Sequence, residues 1–407
     1  MNLMSKLKVM AVVGTRPEAI KMVPVLHELR THTDVDLTVV STAQHRQMLD
    51  QVFGFFGITP DVDLDIMQAN QSLNDIVCRA VTGMDKVLAS CSPDILLVQG
   101  DTTTAFVSAF AAFHRGIQVG HIEAGLRSYN RYNPYPEEMN RRLISEVASI
   151  HFAPTERNVD NLVREGIRRE DIYLTGNTVV DCLMGIARSG RDTLSQYLPR
   201  GFRVNGGRMI LITAHRRENL NGAVKELCDA IACIASMFPR TNFLFPVHMN
   251  PKVREVVLPA LSNFPNIALT EPLPYCAFVE AMASSYLILT DSGGVQEEAP
   301  SLGKPVLVLR ETTERPEGIA LGSAKLIGTA RYRIVSETMH LLRDRAEYER
   351  MAAFRSPYGD GLAAKRTVQG LLHHFGRAES PISFQATMPR VLFAAGASES
   401  AVLPKTA

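Results

Sequence analysis

No apolar stretch of this 407-residue chain reaches the roughly 18 residues needed to cross a bilayer, so the sequence excludes a membrane-spanning helix. The apolar run at 9–13 is also too short for a secretory signal and leads straight into a patterned loop, which places the chain in the cytoplasm as an expectation. An excess of one charge sign is missing as well. The 43 Lys and Arg face 42 Asp and Glu, a formal charge of +1, which argues against nucleic-acid or membrane binding by the chain as a whole. Cys78, Cys91, Cys182, Cys228, Cys233 and Cys276 are scattered and form no Cys-x-x-Cys, and their mostly apolar neighbours predict reduced, buried thiols without chemistry. No His/Cys/Asp spacing resembles a zinc site. Two nucleotide signatures are absent too. No Gly-x-Gly-x-x-Gly turn or Tyr-x-x-x-Lys pair supports NAD chemistry, and Gly303-Lys304-Pro305 lacks both the upstream Gly and the Ser/Thr of a P-loop.

What remains is a chain 46% hydrophobic and 21% charged, long enough for two or three domains. Short β-branched runs alternate with longer amphipathic ones, the pattern of strand-helix repeats around a parallel sheet. Strands are expected at 8–13, 37–40, 95–98, 118–122 and 150–152, with helices to 29, over 73–89 and over 137–148. The aperiodic, Gly-, Ser-, Pro- and Arg-bearing stretch 188–207 reads as a linker. Beyond it strands recur at 209–212, 243–246, 267–269, 287–290 and 306–309, with helices near 224–237 and 278–283. This divides the chain into a first α/β domain over 1–187, the linker, and a second over 208–355. An Ala-, Ser- and Pro-rich tail over 379–407 is expected to fray. Two such halves create a cleft at the carboxyl ends of their strands, where a ligand should sit.

Polar motifs cluster at those strand ends. Asp291-Ser292-Gly293-Gly294 follows an apolar strand and opens a helix, so it is either a phosphate turn with backbone donors or an ordinary N-cap. Glu298, one turn further, suits the two hydroxyls of a ribose, and Arg315 after the 306–309 strand suits phosphate oxygens or a surface loop. Arg16 and Lys21 bring cations from the first half. Asp101, after the 95–98 strand, is an N-cap or a general base, with the N-cap the safer reading. Glu123 ends the next strand. Glu137 opens a helix, where a carboxylate also complements the dipole, and His215 closes the first strand of the second half as a phosphate contact or an acid.

Together these segments resemble the non-hydrolysing UDP-N-acetylglucosamine 2-epimerases over residues 8–375. The resemblance is carried by Gly14-Thr15-Arg16-Pro17-Glu18-Ala19-Ile20-Lys21, Gly100-Asp101-Thr102-Thr103, His121-Ile122-Glu123-Ala124-Gly125-Leu126-Arg127 and Pro136-Glu137-Glu138. It continues through Ala214-His215-Arg216-Arg217-Glu218, the Asp291–Pro300 segment and Thr313-Glu314-Arg315-Pro316.

The resemblance implies two Rossmann-like domains of the GT-B type facing a central cleft, with a C-terminal helix over 356–378 crossing back to the first. It implies a cytoplasmic homodimer that binds a UDP-sugar and needs no metal or cofactor. Its reaction eliminates UDP to 2-acetamidoglucal and adds it back, for surface polysaccharide synthesis. Related possibilities are the same epimerisation on a 2,3-diacetamido uronic acid sugar and a hydrolysing reaction; a GT-B glycosyltransferase and a UDP-sugar sensor stand further off. Asp101, Glu123, Glu137 and His215 match the family's catalytic residues. Arg16, Lys21, Ser292, Gly293, Gly294, Glu298 and Arg315 match UDP contacts, and Phe278 the uracil surroundings. Gln44, His45, Gln47, Arg217 and His248 match parts of an effector site found in some bacterial members. Two positions depart: Leu273 replaces a glutamine, and Asn70 stands where some members are basic.

Overall fold

A computed structural model describes residues 5–43, 46–68, 71–202, 204, 207–214, 222–313, 315–353 and 356–385. The described residues form two parallel sheets. The first contains β1 (Leu7–Val13), β2 (Val35–Ser41), β3 (Val62–Asp63), β4 (Ile95–Gln99), β5 (Gln118–Ile122), β6 (Ile150–Ala153) and β7 (Ile172–Leu174), in the order β3-β2-β1-β4-β5-β6-β7. The second contains β8 (Met209–Thr213), β9 (Asn242–Pro246), β10 (Ile267–Thr270), β11 (Leu287–Thr290), β12 (Val306–Val308) and β13 (Ala324–Leu326), in the order β10-β9-β8-β11-β12-β13. Helices cover both faces of each sheet. This is why β4 is buried at every residue and reads as a continuous apolar run instead of an alternating one.

In each sheet the winding reverses once, between β1 and β4 and between β8 and β11. Crevices open at such reversals, so the turns after these four strands are the natural binding positions. The GT-B-like arrangement inferred from the motifs is the one observed. The strands β3, β7 and β13, two or three residues long, are not expected from the sequence pattern.

The C-terminal helix Ala363–His374 returns to the first domain. It packs on the helices Arg16–Arg30 and Thr178–Arg188. Its first backbone N–H groups, from Ala363 and Ala364, donate to the Asp181 carboxylate at 3.1 and 2.8 Å. A carboxylate at a helix N-terminus satisfies donors that the helix itself cannot. Burial nevertheless pushes Asp181 up to about 6, because desolvation outweighs those hydrogen bonds.

Two expectations need correction. The start of the tail does not fray: the Phe384 N–H donates to Leu174 O at 2.9 Å, and the Phe384 ring is buried among Ala124, Ala153, Val159 and Leu162. Arg366 also donates to Ile382 O at 3.1 Å. The cysteines are all free thiols, yet only Cys182, Cys228 and Cys276 are buried, while Cys78 is exposed. Among the described residues no helix is long and apolar enough to cross a membrane, and no cluster of His, Cys, Asp or Glu could hold a metal ion.

Candidate active site

The turn after β1 is held by a buried acid. Glu18, in the first turn of the helix Arg16–Arg30, accepts the N–H groups of Gly14 at 3.0 Å and Thr15 at 2.6 Å, and the Thr102 hydroxyl at 2.5 Å. The last bond ties the β1 turn to the β4 turn across the sheet's reversal point. Gly14 is required there: a Cβ would lie 2.6 Å from the hydroxyls of both Thr42 and Thr104. Arg16 is exposed at the start of the helix.

Lys21 lies on the same helix, with Nζ 2.5 and 2.6 Å from the two oxygens of Glu123. Glu123 follows β5 with φ of +67°, a left-handed conformation that costs a residue with a Cβ on the order of 1–3 kcal/mol. Its carboxylate also accepts from Gln99 Nε2 at 2.5 Å and Asn177 Nδ2 at 3.0 Å. Burial alone would raise the Glu123 pKa, but Lys21 and the two amides hold it below the ordinary range. Burial likewise opposes the charge on Lys21, and Glu123, Glu297 and Asp101 overcome it, so its pKa rises. Behind Glu123, His121 Nε2 sits 2.8 Å from Gly100 O; a carbonyl only accepts, so this nitrogen carries the proton. Burial takes this histidine down to about 4, which keeps it neutral.

Asp101 is not an N-cap. Thr102 caps the helix Thr103–His114 by accepting the Ala105 N–H at 3.0 Å. The Asp101 carboxylate instead pairs through Oδ2 with Arg141, whose Nε and Nη2 lie 2.8 and 2.7 Å away. The helix Glu137–Val147 separates its two adjacent acids. Glu138 is fully buried and accepts the N–H groups of Ser128 and Tyr129 at 2.8 and 3.0 Å. The Glu137 carboxylate makes no hydrogen bond or ion pair among the described residues. It stands four residues before Arg141 and therefore on the helix face that meets Asp101.

In the second domain the hydroxyls of Thr213 and Thr290 join the ends of β8 and β11 at 2.6 Å. Ser292 then begins the six-residue helix Gly293–Glu298 without a side-chain cap bond. Arg315 donates to Glu297 Oε1 at 2.7 Å and lies over Gly293, where a Cβ would come 3.0 Å from the guanidinium carbon. Glu298 is half-buried, and its carboxylate makes no hydrogen bond or ion pair among the described residues. Desolvation, with Glu297 adding to it and Lys21 opposing, pushes it up to about 8. Lys21 of the first domain therefore faces acids of both.

Between the domains lies a cavity of about 500 Å³, lined among others by Arg141, Asn177, Glu297, Arg310, Arg315 and Tyr358. Phe278 is half-buried on the helix Tyr275–Ser284 and His248 is exposed beyond β9; neither lines this cavity. His215, Arg217, Gln44 and His45 lie outside the described residues, as do Asn70 and the side chain of Gln47. Sequence reasoning assigned no role to Gln99, Arg141 or Asn177. A signal existed for Arg141, four residues after Glu137, whereas Asn177 follows the unread strand β7.

The sequence model of the UDP-N-acetylglucosamine 2-epimerase family matches residues 27–372. The chain belongs to this family. It is 49% identical to the UDP-N-acetylglucosamine 2-epimerase of Bacillus subtilis over 384 residues, covering 94% of this chain and 99% of the relative. The Salmonella typhimurium enzyme of the same name is 49% identical over 369 residues, 90% of this chain and 98% of that one. The crystal structure of the Neisseria meningitidis UDP-GlcNAc 2-epimerase, solved bound to UDP-GlcNAc, superposes with a TM-score of 0.80 at 48% identity, covering 90% of this chain and all of that chain.

Proposed function

We propose that this chain interconverts UDP-N-acetylglucosamine and UDP-N-acetylmannosamine by eliminating UDP and adding it back, with the intermediate retained in the cleft. The observation that carries the reading is the meeting of Lys21, Glu123 and the Glu297–Glu298 pair across the two domains. C2 of the sugar has no neighbouring carbonyl to acidify its proton. Breaking the C2–H bond must therefore be coupled to departure of UDP from C1, with electrons passing from C–H to the new C1–C2 double bond and from C1–O to the diphosphate. Glu123, held ionised by three donors, suits the positive charge that develops at C1. Glu137, without a partner, and Asp101, held through one oxygen by Arg141, suit the proton transfers on the two faces of C2.

The leaving diphosphate is received by Lys21, Arg16, the Ser292–Gly293–Gly294 backbone, Arg315 and His215. Glu298 takes the ribose hydroxyls and Phe278 borders the uracil. Elimination and re-addition are redox-neutral, so no hydride carrier is required. The chain works as a cytoplasmic homodimer in this reading. Support comes from Phe110, Phe113 and Leu143, large apolar side chains left exposed on the packed helices Thr103–His114 and Glu137–Val147. NMR of the protein with UDP-N-acetylglucosamine tests the reaction: the manno epimer should appear at the expense of substrate. Free N-acetylmannosamine accumulating in step with UDP would point to the hydrolysing reaction instead.

A further inference from the structure

We infer that Asn177 is a positioning residue for Glu123, fixing the orientation of that carboxylate from a turn of the first domain that is itself bonded to Tyr358 on the segment that crosses back between the domains. The inference rests on the epimerase reading above. Asn177 is buried, and each of its polar groups has a separate task. Its Oδ1 accepts the Val179 N–H at 3.1 Å and caps the helix Thr178–Arg188. Its Nδ2 donates to Glu123 Oε1 at 3.0 Å, and its backbone N–H donates to Tyr358 O at 2.6 Å. Because the cap consumes the oxygen, the amide cannot turn over, and the nitrogen is the atom that faces Glu123.

The Tyr358 end is equally fixed. The Tyr358 hydroxyl donates to Glu317 Oε2 of the second domain at 3.1 Å. Gly359 packs against the same turn, where a Cβ would lie 3.0 Å from Val180 and 3.3 Å from Asn177 O. A continuous set of contacts thus runs from Glu123 through Asn177 and Tyr358 to the helix Pro316–Leu321, which begins one residue after Arg315. Lys21 also receives the leaving diphosphate in the epimerase reading, so an incoming ligand competes with Glu123 for it. When Lys21 turns to the ligand, Asn177 and Gln99 remain to hold Glu123. The charged and titratable groups facing this carboxylate are Lys21 from the helix Arg16–Arg30 and the neutral His121 from the strand before it, with Glu297 and Asp101 acting on Lys21 in turn.

Three variants separate positioning from capping. Serine and aspartate cap helices as asparagine does, whereas alanine does not. Serine is too short to reach Glu123, and aspartate opposes it with a second negative charge. Asn177→Ser should stay close to the wild-type melting temperature, while Asn177→Ala should melt lower for want of the cap and Asn177→Asp lower because it buries a second carboxylate against Glu123. All three should lose about 10-fold or more in kcat for UDP-N-acetylglucosamine epimerisation while KM stays within about 3-fold, as expected when a reacting group is misplaced. The repulsion in Asn177→Asp should also move the acid limb of kcat/KM to higher pH, and Asn177→Ser, which only removes a donor from Glu123, should move it the same way by less. Wild-type kcat in Asn177→Ser, or loss confined to KM, overturns the inference and leaves Asn177 a helix cap. Should Asn177→Ser fail to fold, an unshifted acid limb in Asn177→Asp overturns it equally. Wild-type protein assayed alongside keeps the cases apart, because an inactive wild type removes the epimerase reading and this inference with it.

Discussion

The two sheets aim their strand ends at one cleft but hold their polar side chains in opposite ways. In the first domain Glu18, Glu123 and Glu138 each accept three or more hydrogen bonds or ion pairs, and Asp101 is paired with Arg141. In the second domain the half-buried Glu298 carboxylate makes no such bond, and Glu297 is paired with Arg315. The difference teaches a division of labour. On the proposed function, Glu123 and Asp101 beside the reacting carbon are braced in advance, Glu137 being the exception, while the Glu298 carboxylate on the nucleotide side is left for the ligand to complete.

The largest effect expected from breaking this comparison is at Glu123. Glu123→Gln removes the negative charge while keeping the shape, and kcat should fall by roughly 10²–10⁴ as for other groups acting on charge or protons in the transition state, with little change in KM. Next comes the adjacent pair on one helix. Glu137→Gln should lose activity at unchanged melting temperature, whereas Glu138→Gln should lose about 1–3 kcal/mol of stability by leaving buried N–H donors poorly matched. Chemical denaturation and steady-state kinetics on both variants check this. If Glu138→Gln alone lost activity at full stability, the assignment of the two acids would be reversed.

On the nucleotide side, Arg315→Ala should act mainly through KM, raising it by about 10-fold or more, as when a charge-assisted contact to phosphate is lost, with a smaller change in kcat. The smallest effect concerns Glu298. With its ionisation at about 8, this acid is protonated in the free protein at pH 7. Ribose hydroxyls donate to the carboxylate form, so binding should release a proton and affinity should strengthen as pH rises toward 8. Calorimetry of UDP binding in two buffers of different ionisation heat measures it, and Glu298→Gln should abolish that release. The same raised ionisation means that the ligand-free fold loses stability as pH climbs from about 4.5 through 8, since the unfolded chain gives up this proton earlier. Glu298→Gln should flatten that loss.

Much of this site is legible in the sequence because each apolar strand stops at a polar turn. Gly14, Asp101, Glu123 and Ser292 announce themselves in that way. The partners that decide what those residues do are not legible, since they depend on which strands are neighbours. Glu18 looks like an ordinary first-turn acid until β1 and β4 are seen side by side. Glu137 and Glu138 are indistinguishable as letters, and only burial separates them. The N-cap reading of Asp101 failed because Thr102, one residue later, performs that task. Asn177 stayed hidden behind a three-residue strand whose apolar run is too short to stand out.

The most direct test of the account is to follow C2 of UDP-N-acetylglucosamine in deuterium oxide, comparing the wild-type protein with Glu123→Gln and with Arg315→Ala at saturating substrate. The account predicts deuterium at C2 together with the manno epimer for wild type, nearly full exchange for Arg315→Ala, and deep loss for Glu123→Gln. Epimer formed without deuterium at C2, or an Arg315→Ala variant as impaired at saturation as Glu123→Gln, would contradict the division between a domain that does the chemistry and a domain that holds the nucleotide.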